Sequence, residues 1–338
     1  MRENGGVLHS GIGMRVVLLN YRSSPRTYNS CSPMSKPILV TGSHRSGTTW
    51  VGRMIAKAPC VTYIHEPFNV DSPRLWSPGF DHWFKYLTDE NSYKHQRELR
   101  KLSSLQFSLS QVFIQARQEA ASLGEFRHLL RRFLKDYVSC LLSQIRGSTP
   151  LIKDPIAVLS AEWLAKTWDA QVIVMVRHPA AFAGSLKVKD WTHPFSHFLN
   201  QPRLMDGPLS PFEEEIRTLE EDEHDIIDQA SFLWKIIYSV VHDYQQRHED
   251  WTFLKHEKIA RSPIRSFEAI YDSLGLNFTN DIQATVRRHS EAQSSDGIRR
   301  NSKSVIRNWE NRLTNDEVHR IRSLTEPEAS LFYTEDDW

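Results

Sequence analysis

Short apolar runs alternate with stretches of helical spacing along most of this chain. Lys36 to Thr41 is largely apolar with β-branched residues, and it leads into Gly42-Ser-His-Arg-Ser-Gly47. Trp50, Val51, Met54, Ile55 and Ala58 then recur at helical spacing, so the pattern predicts strand, loop, helix. Cys60 to Ile64 reads as a second strand, closed by His65-Glu66-Pro67. Pro73 to about Thr88, rich in Trp, Phe and Pro, reads as an irregular segment or lid. From about Tyr93 to Gln144 the spacing of Leu129, Leu130, Phe133, Leu134, Tyr137, Val138 and Leu141 predicts two amphipathic helices.

Leu151-Ile152 follows as a strand stub, Lys153-Asp154-Pro155 as a turn, and Val158 to Trp168 as a helix. Gln171 to Val176, five apolar residues after one polar one, has the pattern of a parallel strand buried on both faces. It stops at Arg177-His178-Pro179. Ala180 to Val188 reads as a helix, Thr192 to Leu209 as a polar loop, and the acidic stretch Glu213 to Asp228 merges into an apolar helix, Phe232 to Tyr244. Trp251 to Leu254 is a further strand and Pro263 to Leu274 a further helix, ending at Gly275. This alternation predicts an α/β fold: a central parallel sheet flanked by helices on both faces.

With 338 residues, 40% hydrophobic and 25% charged, the chain has enough material for a large buried core. Lys and Arg total 42 against 41 for Asp and Glu, so no global field attracts a polyanion and nucleic acid is not an expected partner. Any anion site must be local. Cys31, Cys60 and Cys140 are widely spaced with no CxxC pair, which argues against a disulfide framework and a zinc site and fits a reducing, cytoplasmic compartment. No apolar run is long enough to span a membrane. Residues 1–35 read as a disordered extension, and Met34, just before the first strand, is a candidate translation start. Residues 36–330 then form one domain, with insertions at about 71–147 and 192–228.

The loop from Gly42 to Thr49 has the composition of a phosphate cradle. Its glycines let the backbone wrap an oxyanion, and the following helix N-terminus adds partial positive charge. Arg45, Thr48 and Thr49 offer side-chain donors. A Walker A loop carries Lys after its second glycine and pairs with a downstream acid for magnesium. Here Thr48 stands at the first position and Arg177 ends the downstream strand, which disfavours nucleoside triphosphate hydrolysis and points to a metal-free site that meets its anion with arginines.

Arg45-Ser46-Gly47-Thr48-Thr49-Trp50 resembles the 5′-phosphosulfate loop of sulfotransferases that use 3′-phosphoadenosine-5′-phosphosulfate (PAPS), and Arg177-His178-Pro179 with Ser185 resembles their 3′-phosphate motif. The resemblance runs from about Lys36 to Leu313. It implies a P-loop-type sheet, PAPS as donor and no metal. It also implies that Arg45, Ser46, Gly47, Thr48 and Thr49 hold the 5′-phosphosulfate, that Trp50 stacks on adenine, and that Arg177 and Ser185 hold the 3′-phosphate. Arg45, where the cytosolic branch has Lys, places the chain nearer the bacterial and carbohydrate-modifying branches. Arg299, Arg300 and Lys303, with Arg307 and Trp309 following, resemble the basic loop that closes over the 3′-phosphate, without its usual glycine pair. His256 falls where family members often have an adenine-contacting Tyr.

Sulfuryl transfer requires alignment of the acceptor with the leaving phosphate, removal of a proton and stabilisation of negative charge. Glu66 follows the second strand, at the sheet edge where open α/β sheets bind ligands, and is the first candidate for general base. Tyr63-Ile-His-Glu-Pro-Phe68 also resembles the Glu-Pro segment of carbohydrate and bacterial sulfotransferases. His65 and His44 are rival bases. Lys153 is placed to stabilise the bridging oxygen or the sulfuryl group, with an ion pair to Asp154 as the alternative. The acceptor is a hydroxyl or amine, on a carbohydrate or small metabolite, in a pocket walled by the two insertions and their aromatics, Trp76, Phe80, Trp83, Phe84 and Trp191. A P-loop nucleotide kinase or NTPase and a non-catalytic nucleotide-binding member of the fold are the competing readings.

Overall fold

Ile38–Gly42 (β1) has every residue buried because it is the middle strand of a parallel sheet covered on both sides. The computed structural model describes residues 36–72, 74–221, 224–291 and 306–338. The N-terminal extension with its candidate start at Met34, and the basic residues Arg299, Arg300 and Lys303, lie outside the described residues.

β1 is followed by α1 (Thr48–Ile55), β2 (Val61–His65), α2 (Gln96–Ser104), α3 (Leu109–Glu119), α4 (Leu123–Ile145) and β3 (Thr149–Lys153). A 3₁₀ segment, Pro155–Ser160, leads to α5 (Ala161–Trp168), β4 (Gln171–Val176) and α6 (Pro179–Lys187). Two short helices, α7 (Ser196–Leu199) and α8 (Pro202–Met205), then precede α9 (Glu213–Glu221), α10 (Ile226–Arg247) and β5 (Thr252–Lys255). The chain continues through α11 (His256–Arg261), α12 (Pro263–Ser273), α13 (Asn280–Glu291), α14 (Asn315–Thr325) and α15 (Glu328–Phe332).

The strands lie in the order β2-β3-β1-β4-β5, each pair parallel. Period-two alternation sends the side chains of β1 and β4 to opposite faces. Ile38, Val40, Ile173 and Met175 join one apolar cluster with α1 and α12, while Leu39, Val172, Val174 and Val176 join a larger one with α6 and α10. Both faces are therefore dry, as expected for a parallel sheet.

Pairings of Gly42 with Met175, His65 with Lys153, and Val176 with Lys255 bring the carboxyl ends of all five strands to one edge. The sheet order reverses direction around β1, and that is where such folds leave a crevice.

Several local expectations are revised. The segment predicted as two helices forms three, broken at Leu105, which takes φ 58°, and again at Ala120 in extended conformation. Thr192 to Leu209 contains α7 and α8 where a loop was expected. Cys60 is disulfide-bonded, which departs from the three separate thiols expected, so the cysteines no longer argue for a reducing compartment. Cys140 is free and buried. Among the described residues no helix is long and apolar enough to cross a membrane.

Candidate active site

The loop between β1 and α1 folds back on itself. Ser46 donates to the Ser43 carbonyl through both its hydroxyl (2.5 Å) and its N–H (3.3 Å). Arg45 and Gly47 take φ of 63° and 97°. A Cβ on Gly47 would stand 2.5 Å from His256 Nδ1, so this position has room only for glycine. Gly47 is also the N-cap of α1 and offers no side chain to close the helix end. The positive end of α1 therefore stays open for an anion.

β4 delivers Arg177 beside this loop. Its guanidinium donates to the Arg45 carbonyl, while its Nε is buried without a hydrogen-bond partner. Burial pulls the Arg177 pKa down to about 10; Glu257 opposes that shift, and Arg45 and Arg312 add to it. α10 fixes the backbone here. Trp234 Nε1 donates to the Arg177 carbonyl at 2.8 Å. The Tyr238 hydroxyl accepts the Arg177 N–H at 3.1 Å, donates to the Met175 carbonyl at 3.3 Å, and lies 2.8 Å from the Ser43 hydroxyl.

The two predicted anion motifs meet directly. Arg45 Nε donates to Ser185 Oγ at 2.9 Å across 140 residues of sequence, and its guanidinium lies 5.5 Å from the centre of the half-exposed Trp191 ring. A cleft of about 780 Å³ opens over this pair and is lined by Arg45, Gly47, Thr48, Thr49, Trp50, Glu66, Arg177, Ser185 and His256. Ser46 is buried beneath the loop, where it shapes the turn.

Trp50 packs edge-on against Phe267 (5.4 Å) and His256 (6.0 Å), and its indole N–H has no partner. The buried His256 also leaves Nδ1 unpartnered. Burial, with Arg177 adding to it, pulls its pKa to about 3 and keeps the ring neutral. Unpartnered polar atoms on Arg177, Trp50 and His256, and likewise on His44 and His193, thus belong to residues lining one cleft, an arrangement that costs stability until those atoms are satisfied.

At the far side of the cleft Glu66 ends the β2 turn with φ 46°, and its N–H donates to the Lys153 carbonyl at 2.8 Å. Its carboxylate pairs with the Lys153 ammonium and accepts from Asn69 Nδ2 at 3.1 Å. Burial alone pushes the Glu66 pKa up; the Lys153 charge and its hydrogen bond, with His65, hold it below the ordinary value. Lys153 is fully buried behind Glu66. The alternative Lys153 partner, Asp154, instead caps its own turn, accepting from Phe68 N (2.6 Å) and Ile156 N (3.1 Å). Burial and nearby cations pull the pKa of the rival bases His44 and His65 to about 4, which keeps both rings neutral.

Two contributors carried no readable signal. Arg312 lines the cleft from the segment before α14, and His193 from the segment before α7. Arg307, which follows the basic residues of the resemblance, pairs with Glu310 (3.0 Å) and donates to the Asp336 carbonyl (3.2 Å). Trp309 stacks on His178 at 5.5 Å. Behind Arg177, the buried Glu257 accepts from His178 N and from the Tyr333 hydroxyl, each at 3.1 Å.

An open helix N-terminus after β1, arginines in the loop after β1 and at the end of β4, and a carboxylate at the end of β2 define a P-loop-type α/β protein with a cleft at the carboxyl edge of its sheet. A family model described as "Sulfotransferase family" matches residues 37–280, and the chain belongs to that family. No curated protein matches it in sequence. Among solved structures it is similar to the sulfotransferase domain from the curacin biosynthetic pathway, at 15% identity and TM-score 0.46, covering 90% of this chain and 99% of that one. It is also similar to sulfotransferase STF9 from Mycobacterium avium, at 16% identity and TM-score 0.43, covering 90% and 78%. Mouse sulfotransferase SULT7A1 complexed with PAP is similar at 13% identity and TM-score 0.42, covering 86% and 82%.

Proposed function

We propose that this protein transfers a sulfuryl group from PAPS to a hydroxyl or amine of a carbohydrate or small-molecule acceptor. One observation carries the reading: Arg45, Arg177 and Ser185 converge with the open N-terminus of α1 on a cleft that Glu66, backed by the buried Lys153, borders on the opposite side. The residues present fit the donor. Arg177 Nε, Trp50 Nε1 and His256 Nδ1 are buried polar atoms awaiting partners, and the absent side chain at Gly47 leaves the backbone accessible to a phosphate.

In this reading Thr48, Thr49, Arg45 and the first N–H groups of α1 hold the 5′-phosphosulfate. Arg177 and Ser185 hold the 3′-phosphate, with Arg312 contributing charge, and Trp50 and His256 bound the adenine. The donor supplies an activated sulfuryl group on a good leaving phosphate. Glu66 takes the acceptor proton, and Lys153 orients that carboxylate and balances its charge. The negative charge of the ligand is met by guanidinium groups and backbone N–H groups, so the reading calls for no metal.

Incubation of the purified chain with radiolabelled PAPS and a panel of hydroxyl and amine acceptors tests this. Acceptor-dependent label transfer is expected, together with thermal stabilisation by adenosine 3′,5′-bisphosphate. Stabilisation without transfer to any acceptor would favour a non-catalytic nucleotide binder, and magnesium-dependent ATP turnover would favour a kinase or NTPase.

A further inference from the structure

The helical part of the insertion between β2 and β3, residues 93–146, contributes no residue to the lining of the cleft, and it carries a charge and an apolar surface of its own. Residues 93–146 hold ten Lys and Arg against four Asp and Glu, a net of +6 where the whole chain has +1. Eight of those ten cations are exposed, whereas only Glu119 and Glu125 among the acids are. The charge therefore faces outward.

α4 combines this charge with exposed apolar side chains. Leu129, Phe133 and Cys140 form its buried face against the core. A second apolar set stands in solvent: Val138 (50% exposed), Leu141 (40%), Leu142 (45%) and Ile145 (75%). A surface helix ordinarily turns polar residues outward, so a second apolar face calls for an occupant. The exposed cations Arg127, Arg131 and Lys135 precede this set, and the steps from Arg127 through Arg131, Lys135, Val138 and Leu142 to Ile145 are all of three or four residues. Such spacing keeps them on one side of the helix. Phe113 and Ile114 of the adjoining α3 are exposed as well.

The chemistry of the set selects the occupant. Protein-recognition hot spots favour Trp, Tyr and Arg, and Leu and Val are under-represented in them. Helices that lie in a membrane interface instead combine aliphatic side chains and Phe with flanking Lys and Arg. An anionic lipid surface meets both requirements at once, with phosphates for the cations and an acyl boundary for the aliphatics. We infer that the α3–α4 hairpin is a docking surface for an anionic phospholipid membrane. Val138, Leu141, Leu142 and Ile145 enter the headgroup–acyl boundary, and Arg127, Arg131 and Lys135 meet the headgroups. The protein lies on the bilayer, since none of the described helices suits a span. This inference is independent of the reaction proposed above.

Co-sedimentation of the full chain with phosphatidylserine–phosphatidylcholine vesicles tests it. Binding is expected to the mixed vesicles, to be weak with phosphatidylcholine alone, and to fall with added salt. The pair Leu142→Glu/Ile145→Glu and, separately, the pair Arg127→Glu/Arg131→Glu should each reduce vesicle partitioning about tenfold at an unchanged melting temperature. All four side chains are exposed, so the core is left intact. Absence of vesicle binding, or equal binding by the parent and both paired variants, overturns the inference. A dimer seen by light scattering and dissociated by Leu142→Glu/Ile145→Glu also overturns it, assigning the face to a second copy of the chain.

Discussion

The ammonium of Lys153 is enclosed by protein and directed at one carboxylate oxygen of Glu66, whose other oxygen accepts from Asn69. The pair sets the charge state of the residue proposed above as the general base. In Lys153→Met the carboxylate loses its cation, so burial, which alone raises its pKa, is no longer outweighed. The acidic limb of the pH profile of kcat/KM should move from below the ordinary Glu value to above it. Stability should fall by less than the ~3–5 kcal/mol typical of a fully buried broken pair, because Glu66 keeps a quarter of its side chain in solvent. An unmoved acidic limb would remove Glu66 from the profile.

Glu66→Gln preserves the shape of the group and its contact with Lys153 but cannot take a proton. Turnover should drop by about 10²–10⁴-fold, with calorimetric affinity for adenosine 3′,5′-bisphosphate unchanged. Turnover within about threefold of the parent would transfer the role to His65 or His44, both of which burial keeps neutral.

Arg177→Ala should weaken bisphosphate binding by about 10- to 100-fold, the range of a lost hydrogen bond to a charged group. Arg177→Lys should recover little, because an ammonium cannot hold both the Arg45 carbonyl and a phosphate with the guanidinium's planar fork. Titration calorimetry at fixed salt measures both variants.

Gly47→Ala meets two obstacles: a positive φ that costs an L-residue about 1–2 kcal/mol, and the His256 ring 2.5 Å from the new Cβ. Thermal unfolding should show a lower melting temperature and little stabilisation by bisphosphate. Adding His256→Ala should recover part of the stability, because the contact goes while the φ penalty stays.

Asp154 gives a stability prediction with a definite sign. Burial raises its carboxyl pKa from 3.8 to about 7, with Glu66 adding to the rise and the N–H groups of Phe68 and Ile156 opposing it. Below pH 4 the group is protonated in both folded and unfolded chains and contributes no pH dependence. Between pH 4 and 7 the unfolded chain ionises first, so stability falls as pH rises, by up to about 4 kcal/mol for this shift. Asp154→Asn should flatten that decline in melting temperature, and an equal slope in both proteins would show Asp154 to be ionised in the fold.

What could be read in advance follows from how local each signal is. β4 was legible to the residue because an apolar run between a polar start and Arg177-His178-Pro179 leaves one choice. α11, α13, α14 and α15 were missed because their apolar positions are sparse and they are docked by tertiary contacts such as Ile259, Val286, Ile321 and Phe332 in the core. Arg45, Glu66 and Arg177 were legible because each follows a strand at the sheet's carboxyl edge. Arg312 and His193 were not, since distant segments fold them into the cleft and nothing beside them in sequence marks the position. The only ion pair expected for Lys153 was with its neighbour Asp154, but Asp154 spends its oxygens on the N–H groups of Phe68 and Ile156, and Lys153 pairs with Glu66 from the end of β2, a contact that sequence adjacency does not signal.

One phenolic oxygen, that of Tyr238, joins the β1 loop through Ser43 to the end of β4 through Arg177 and Met175. The distance between the two segments that the proposed function assigns to the donor's phosphates is thereby set by the scaffold before any ligand arrives. Such a site works as a gauge of fixed span: a ligand whose charged ends are too close or too far apart satisfies one loop and abandons the other. Discrimination by length then costs no rearrangement at the moment of binding.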